Sequence, residues 1–178
     1  MAYFNPLGEY GFVMKRTAAI ELSFMGTYDE DLRMRMSLGF ARPRPRLDSF
    51  PVTTYFSGGG HELLLPGTQV FHSSFTGFMT SGIDWNVINR EPVFVYPGLD
   101  FIAGLLVENY ETNYPTYSVP HEEEFTSVFF GLRARLGIMY VVNQEWAFSL
   151  EATRSGYIAT ELGPLAHWDI GIGISYVW

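Results

Sequence analysis

Among its 178 residues the chain has no cysteine, which rules out disulfides, a thiolate metal site and a cysteine nucleophile. It has no apolar run of about 18 residues, which rules out a membrane-spanning helix. Positive charge is scarce: 11 Lys and Arg stand against 19 Asp and Glu, a formal net charge of −8. Phosphate backbones select basic surfaces, so nucleic acid is not an expected partner. The opening MAYFNPLGEYG lacks a basic segment followed by an apolar stretch, so any export signal is read as already removed. Amphipathic helical periodicity is also missing.

What is present is alternation with period two, the mark of strands with one apolar face. Ile20, Leu22, Phe24 and Tyr28 oppose Glu21, Ser23, Met25 and Thr27. After the turn Asp29-Glu30-Asp31, Leu32, Met34, Met36, Leu38 and Phe40 oppose Arg33, Arg35, Ser37, Gly39 and Ala41. The pattern returns at 69–88, where Phe71, Phe75, Met79, Ile83 and Trp85 oppose His72, Ser74, Thr76, Thr80 and Asp84. It returns again at 99–108, 130–142, 146–154 and 167–178. These are seven strands. Residues 3–13, interrupted by Pro6, supply an eighth, in keeping with the even strand numbers of single-chain bacterial membrane barrels. The length suits one domain over 1–178, with 1–17 read as a first strand or an N-terminal extension.

Connections fall into two kinds. Those at 29–31 and 143–145 are tight, whereas 43–68, 109–126 and 155–166 are long and rich in Pro, Gly, Ser and Tyr; 89–98 is intermediate. Short turns at one end and long loops at the other are the pattern of a membrane barrel. The polar faces support the same reading. They hold Gly, Ser, Thr and isolated ions of both signs, with almost no Lys, whereas a soluble surface scatters more charge. Glu21, Arg33, Arg35, Arg133, Arg135 and Glu151 therefore form an expected ion network inside the barrel, with Glu151 reaching Arg135. Tyr28, Tyr140, Trp146, Tyr176 and Trp178, at the short-turn end of the apolar faces, form an expected aromatic girdle.

Over residues 18–178, as an architecture, the chain resembles the small bacterial outer-membrane β-barrels of the OmpA transmembrane-domain, OmpX and OmpW kind. The resemblance is sharpest in GIGISYVW, where Ile172, Ile174, Tyr176 and Trp178 are similar to the C-terminal signal read by the barrel-assembly machinery. That family usually ends in Phe; here Trp178 stands in its place. The resemblance implies an all-β, eight-stranded antiparallel up-and-down transmembrane barrel in the bacterial outer membrane, with both termini periplasmic. It implies outer-membrane lipid and lipopolysaccharide as surroundings, and the assembly machinery as a partner during insertion. Eight strands leave room only for side chains, so a general pore is not expected. The expected role is non-enzymatic and cofactor-free: envelope structure, adhesion, or an accessory subunit of a larger outer-membrane complex.

The alternative is a lipid-modifying enzyme. His72 and Ser74 share a face, an H-x-S pair that resembles the lipid A 3-O-deacylase family. In that family, however, the pair sits on a late strand, and the matching LEATRSG here has no His. His72 is expected instead as an interior polar filler. His121 followed by Glu122, Glu123 and Glu124 has metal-ligand chemistry, but consecutive residues do not easily converge on one ion. The GGGH run at 58–61 precedes no helix and is no phosphate loop. Deleting Tyr176 to Trp178 is expected to abolish membrane insertion in cells while leaving every loop intact. Normal insertion of that truncation, followed by membrane fractionation, would refute the signal reading.

Overall fold

The computed structural model describes residues 2–7, 17–29, 31–44, 47, 49–58, 61–115, 121–143, 146–160 and 163–176. The alternating sequence forms ten strands: β1 (Ala2–Leu7), β2 (Thr17–Thr27), β3 (Leu32–Ala41), β4 (Ser49–Gly58), β5 (His61–Trp85), β6 (Ile88–Arg90), β7 (Val93–Asn113), β8 (His121–Val141), β9 (Trp146–Ala159) and β10 (Gly163–Tyr176). The protein is all-β, a single curled sheet in which every pairing is antiparallel. β5 pairs with β3 on one side and β7 on the other. The pairings can thus be followed through β1, β2, β3, β5, β7, β8, β9 and β10 back to β1.

Three links expected as long loops are largely strand. The 43–68 segment contains β4 and the start of β5, which runs for 25 residues. Within 109–126, residues 109–113 are the end of β7 and 121–126 the start of β8, and 155–166 is shortened by β9 and β10. Proline misled here because it sits where no ladder donor is needed. Pro51 lies on β4, which pairs only with β5, and Pro66 on β5 pairs with β4 below the first β7 contact at Thr68. Pro6 lies in β1 where only β10 is its partner. The intermediate link at 89–98 is a small hairpin, β6 against the start of β7.

The tight turns are held locally. The amides of Tyr28 and Asp29 donate to the Leu32 carbonyl at 2.9 and 3.1 Å. At the other tight turn the Trp146 amide donates to Asn143 Oδ1 at 2.8 Å.

Polarity is inverted relative to a water-soluble sheet. On β3, Met34, Met36, Leu38 and Phe40 are 46–63% exposed, whereas Arg33, Arg35 and Ser37 are at most 7% exposed. β8 repeats this, with Leu132, Leu136, Ile138 and Tyr140 outward and Arg133 and Arg135 inward. The inner face also packs small apolar clusters, one of Ile102, Phe129, Tyr157 and Ala159 and another of Tyr96, Met139 and Ala147. Two large inner rings lie over glycine partners. A Cβ at Gly39 would fall within the Phe78 ring, and one at Gly137 within the Tyr96 ring.

Leu136 and Ile172 stand outward, 57% and 67% exposed. Arginine at either is expected to cost about 2–4 kcal/mol of stability in a bilayer. Arginine at Ser149, on the inner face, acts through packing instead. Spin labels check the polarity: water access at Ile172 with lipid access at Ser149 would reverse the assignment.

Candidate functional site

The most chemically loaded region is the inner face. Strand alternation delivers two guanidiniums from β3 (Arg33, Arg35) and two from β8 (Arg133, Arg135). It delivers five carboxylates from five different strands: Glu21 on β2, Asp84 on β5, Asp100 on β7, Glu151 on β9 and Asp169 on β10. Arg35 is the hub. Its Nη1 and Nη2 donate to the two Glu151 oxygens at 3.0 and 2.8 Å, a bidentate pairing, and its Nε donates to Asp84 at 3.2 Å. Arg135 lies 2.5 Å from Asp100, 3.2 Å from Asp84 and 3.9 Å from Glu151. Arg133 donates to Glu21 at 2.9 and 3.0 Å, with Asp169 at 3.7 Å. Asp169 accepts in turn from Thr153 at 3.0 Å and lies 3.0 Å from His167.

Two of these contacts join opposite sides of the pairing circuit. β3 and β9 are four strands apart by either route, and so are β8 and β2, yet Arg35–Glu151 and Arg133–Glu21 are direct ion pairs. Tyr96 binds the centre together. Its hydroxyl donates to Glu151, Arg33 stacks on its ring at 4.6 Å, and Arg35 lies 5.7 Å from the same centroid.

All six ions of the expected network lie on the inner face, and the expected Glu151–Arg135 contact is present at 3.9 Å, but the closest pairs are others. Glu151 is registered against Gly137 rather than Arg135, so Arg35 from across the sheet takes the closest contact and Arg135 turns to Asp100 and Asp84. Arg33 makes no ion pair among the described residues; its cation rests on the Tyr96 ring and on Met139 Sδ at 3.6 Å. Asp84, Asp100, Asp169, His167 and Tyr96 were missed as members. The alternation already put Asp84, Asp100 and Asp169 on polar faces. Tyr96 was hidden in a segment expected as a link.

Of the aromatic set, Tyr28, Tyr140 and Trp146 are outward and 45–76% exposed at the end of the tight turns, joined there by Trp85. The Tyr176 side chain and all of Trp178 lie outside the described residues. Ile172 and Ile174 are exposed on the outer face.

The other sequence candidates dissolve into separate places. A β-bulge between Phe71 and Ser73 shifts the register, so His72 is 52% exposed and faces Glu111 at 3.5 Å rather than filling the interior. Ser74 is buried, and its hydroxyl has no hydrogen-bond partner among the described residues, His72 included. The acidic run is split by the pleat: His121 and Glu123 approach to 3.6 Å, while Glu122 faces Glu111 across the ladder. Desolvation, with Glu123 and Glu108 nearby, pushes the Tyr110 phenol up on this extension. Among the described residues no group of three His, Asp or Glu could hold a metal ion. The His61 side chain lies outside them.

No protein-family model matches the chain, and neither does any curated protein. Among solved structures it is similar to outer-membrane expressed OmpT of Vibrio cholerae, at 15% identity over 92% of this chain and 57% of that one, with a TM-score of 0.19. The chain therefore spans little more than half of that protein's length, and a likeness this slight carries no argument about the fold.

Removing Glu151 or Arg35 alone takes away its partner's closest counter-charge in a low-dielectric interior and is expected to cost about 3–5 kcal/mol. Removing both is expected to cost less. Unfolding of Glu151→Gln, Arg35→Met and the double variant tests this; strictly additive effects would show that the pair is uncoupled.

Proposed function

We propose that the eight strands of the pairing circuit close into an antiparallel up-and-down barrel that spans the bacterial outer membrane, its interior plugged by its own side chains. The observation that carries this reading is the pair of ion contacts across the circuit, Arg35–Glu151 and Arg133–Glu21, beneath an outward face of exposed Leu, Ile, Met and Phe. Charged groups on the narrow side and apolar groups on the open side minimise free energy only when lipid, not water, lies outside. In hydrocarbon every backbone polar group must find a partner, which a closed circuit of strands provides. A transmembrane strand needs about 9–11 residues. β5, β7 and β8, at 25, 21 and 21 residues, exceed that and extend past the bilayer on the side away from the tight turns, with β4 paired to the β5 extension.

With the interior blocked, function lies at the outer ends of the strands and on the lipid-facing wall. The role is non-enzymatic: envelope structure, adhesion, or an accessory subunit of a larger outer-membrane complex. Lipopolysaccharide surrounds the barrel, and the barrel-assembly machinery inserts it. The deacylase-like alternative is disfavoured by Ser74, whose hydroxyl makes no bond to His72.

Reconstitution in planar bilayers tests the plug. The native chain is expected to insert without stepwise conductance. Large, regular conductance steps would overturn the blocked interior, and a monodisperse, folded protein in detergent-free buffer would overturn the membrane reading altogether.

A further inference from the structure

On the outward face of β9, between Leu150 and Ile158, stands a cation. Arg154 is exposed, and strand register places Ala134 of β8 on one side of it and Trp168 of β10 on the other. Its guanidinium lies 5.3 Å from the centroid of the Trp168 ring, itself 46% exposed. Arg154 makes no ion pair among the described residues. No acid stands within two positions of it on the outward faces of β8, β9 and β10.

Height and space decide which anion can reach it. Arg154 is eight residues along β9 from Trp146, at the tight-turn end, and Trp168 is eight residues along β10 from Tyr176, the register partner of Trp146. At about 3.3 Å per residue and a strand tilt of about 40°, that is roughly 20 Å of an apolar band about 25 Å tall. Both residues thus stand just inside the boundary away from the tight turns, a level from which a long cationic side chain reaches the headgroups. The next outward position towards that boundary is Gly156, where an added Cβ would meet nothing within 4 Å, and its register partner on β10 is Ala166. These two small residues leave the way from the guanidinium to the boundary open, with the Trp168 ring on its flank.

An unpaired cation on a hydrocarbon-facing wall is costly unless a counter-charge meets it. We propose that Arg154 binds the phosphate of an anionic lipid of the outer leaflet, seated over Gly156 and Ala166, with the Trp168 indole N–H as a second donor. A second copy of the chain is the poorer occupant, because the outward positions of the apolar band carry no carboxylate among the described residues. The Trp168 ring limits the freedom of the guanidinium before the lipid arrives, and the guanidinium–phosphate hydrogen bonds are charge-assisted. The inference rests on the membrane reading given above.

The test uses the full chain in mixed vesicles of phosphatidic acid and phosphatidylcholine. Flotation is scored first, then the lipid retained after gentle extraction, by native mass spectrometry. The native chain is expected to retain phosphatidic acid about tenfold over phosphatidylcholine, the scale of one charge-assisted hydrogen bond. Arg154→Gln is expected to abolish that preference. Gly156→Leu keeps the cation but fills the open space beside it, and is expected to weaken the preference severalfold. Floating protein without preference, or an unchanged preference in either variant, overturns the site while leaving the membrane reading intact. Failure to float overturns both. Loss of the preference in millimolar inorganic phosphate overturns the lipid source, and a dimer that Arg154→Gln dissociates overturns the lipid in favour of a second copy.

Discussion

The structure turns on the pairing of guanidinium and carboxylate on the inner face. Removing an ion from water costs several kcal/mol, and the cost is offset only when a partner of opposite sign is held at hydrogen-bond distance. Four arginines on two strands meet carboxylates drawn from five others; Arg135 finds Asp100 within the β7–β8 hairpin, but Arg35 and Arg133 find theirs on more distant strands of the chain. Arg35 needs β9 and β5, and Arg133 needs β2 and β10. The network therefore demands that distant strands come together, and it ties the amino-terminal half of the chain to the carboxy-terminal half.

Much of the remaining detail makes room for these charges. Gly137 leaves space for the Tyr96 ring, which in turn supports Arg33 and Arg35 and donates to Glu151. Gly39 does the same for Phe78, whose ring lies 5.6 Å from the Arg133 guanidinium. Small residues on the inner face are thus as necessary as the ions. The outer face has no such constraint beyond being apolar, and even its one described mid-strand cation, Arg154, lies 5.3 Å from the Trp168 ring.

Above the apolar band the same strands carry different chemistry. The β7–β8 extension bears Glu108, Glu111, Glu122, Glu123 and Glu124, whereas the neighbouring end of β3 bears arginines. In the plugged barrel proposed above, these two contrasting surfaces are the places where the protein would meet other molecules.

The sequence by itself determined the all-β class, the tight turns at 29–31 and 143–145, and which residues share a face, because a period of two is a local property of the extended backbone. It put Glu21, Arg33, Arg35, Arg133, Arg135 and Glu151 on polar faces for that reason. It did not show that 49–58, 61–70, 109–113 and 121–126 are strand, because Pro, Gly and Tyr read as loop wherever ladder donors are assumed to be needed. It named one partner of Glu151, Arg135, which the structure holds at 3.9 Å, and did not show that Arg35 is the closer one. Hairpin register along β8 and β9 suggested Arg135, but side chains on a curled inner face meet across it as well as along it, and Arg35 approaches from β3. The bulge that turned His72 outward left no signature in the alternation either. Faces are written in the order of residues along one strand; partners depend on how distant strands curl toward each other, which only the tertiary structure decides.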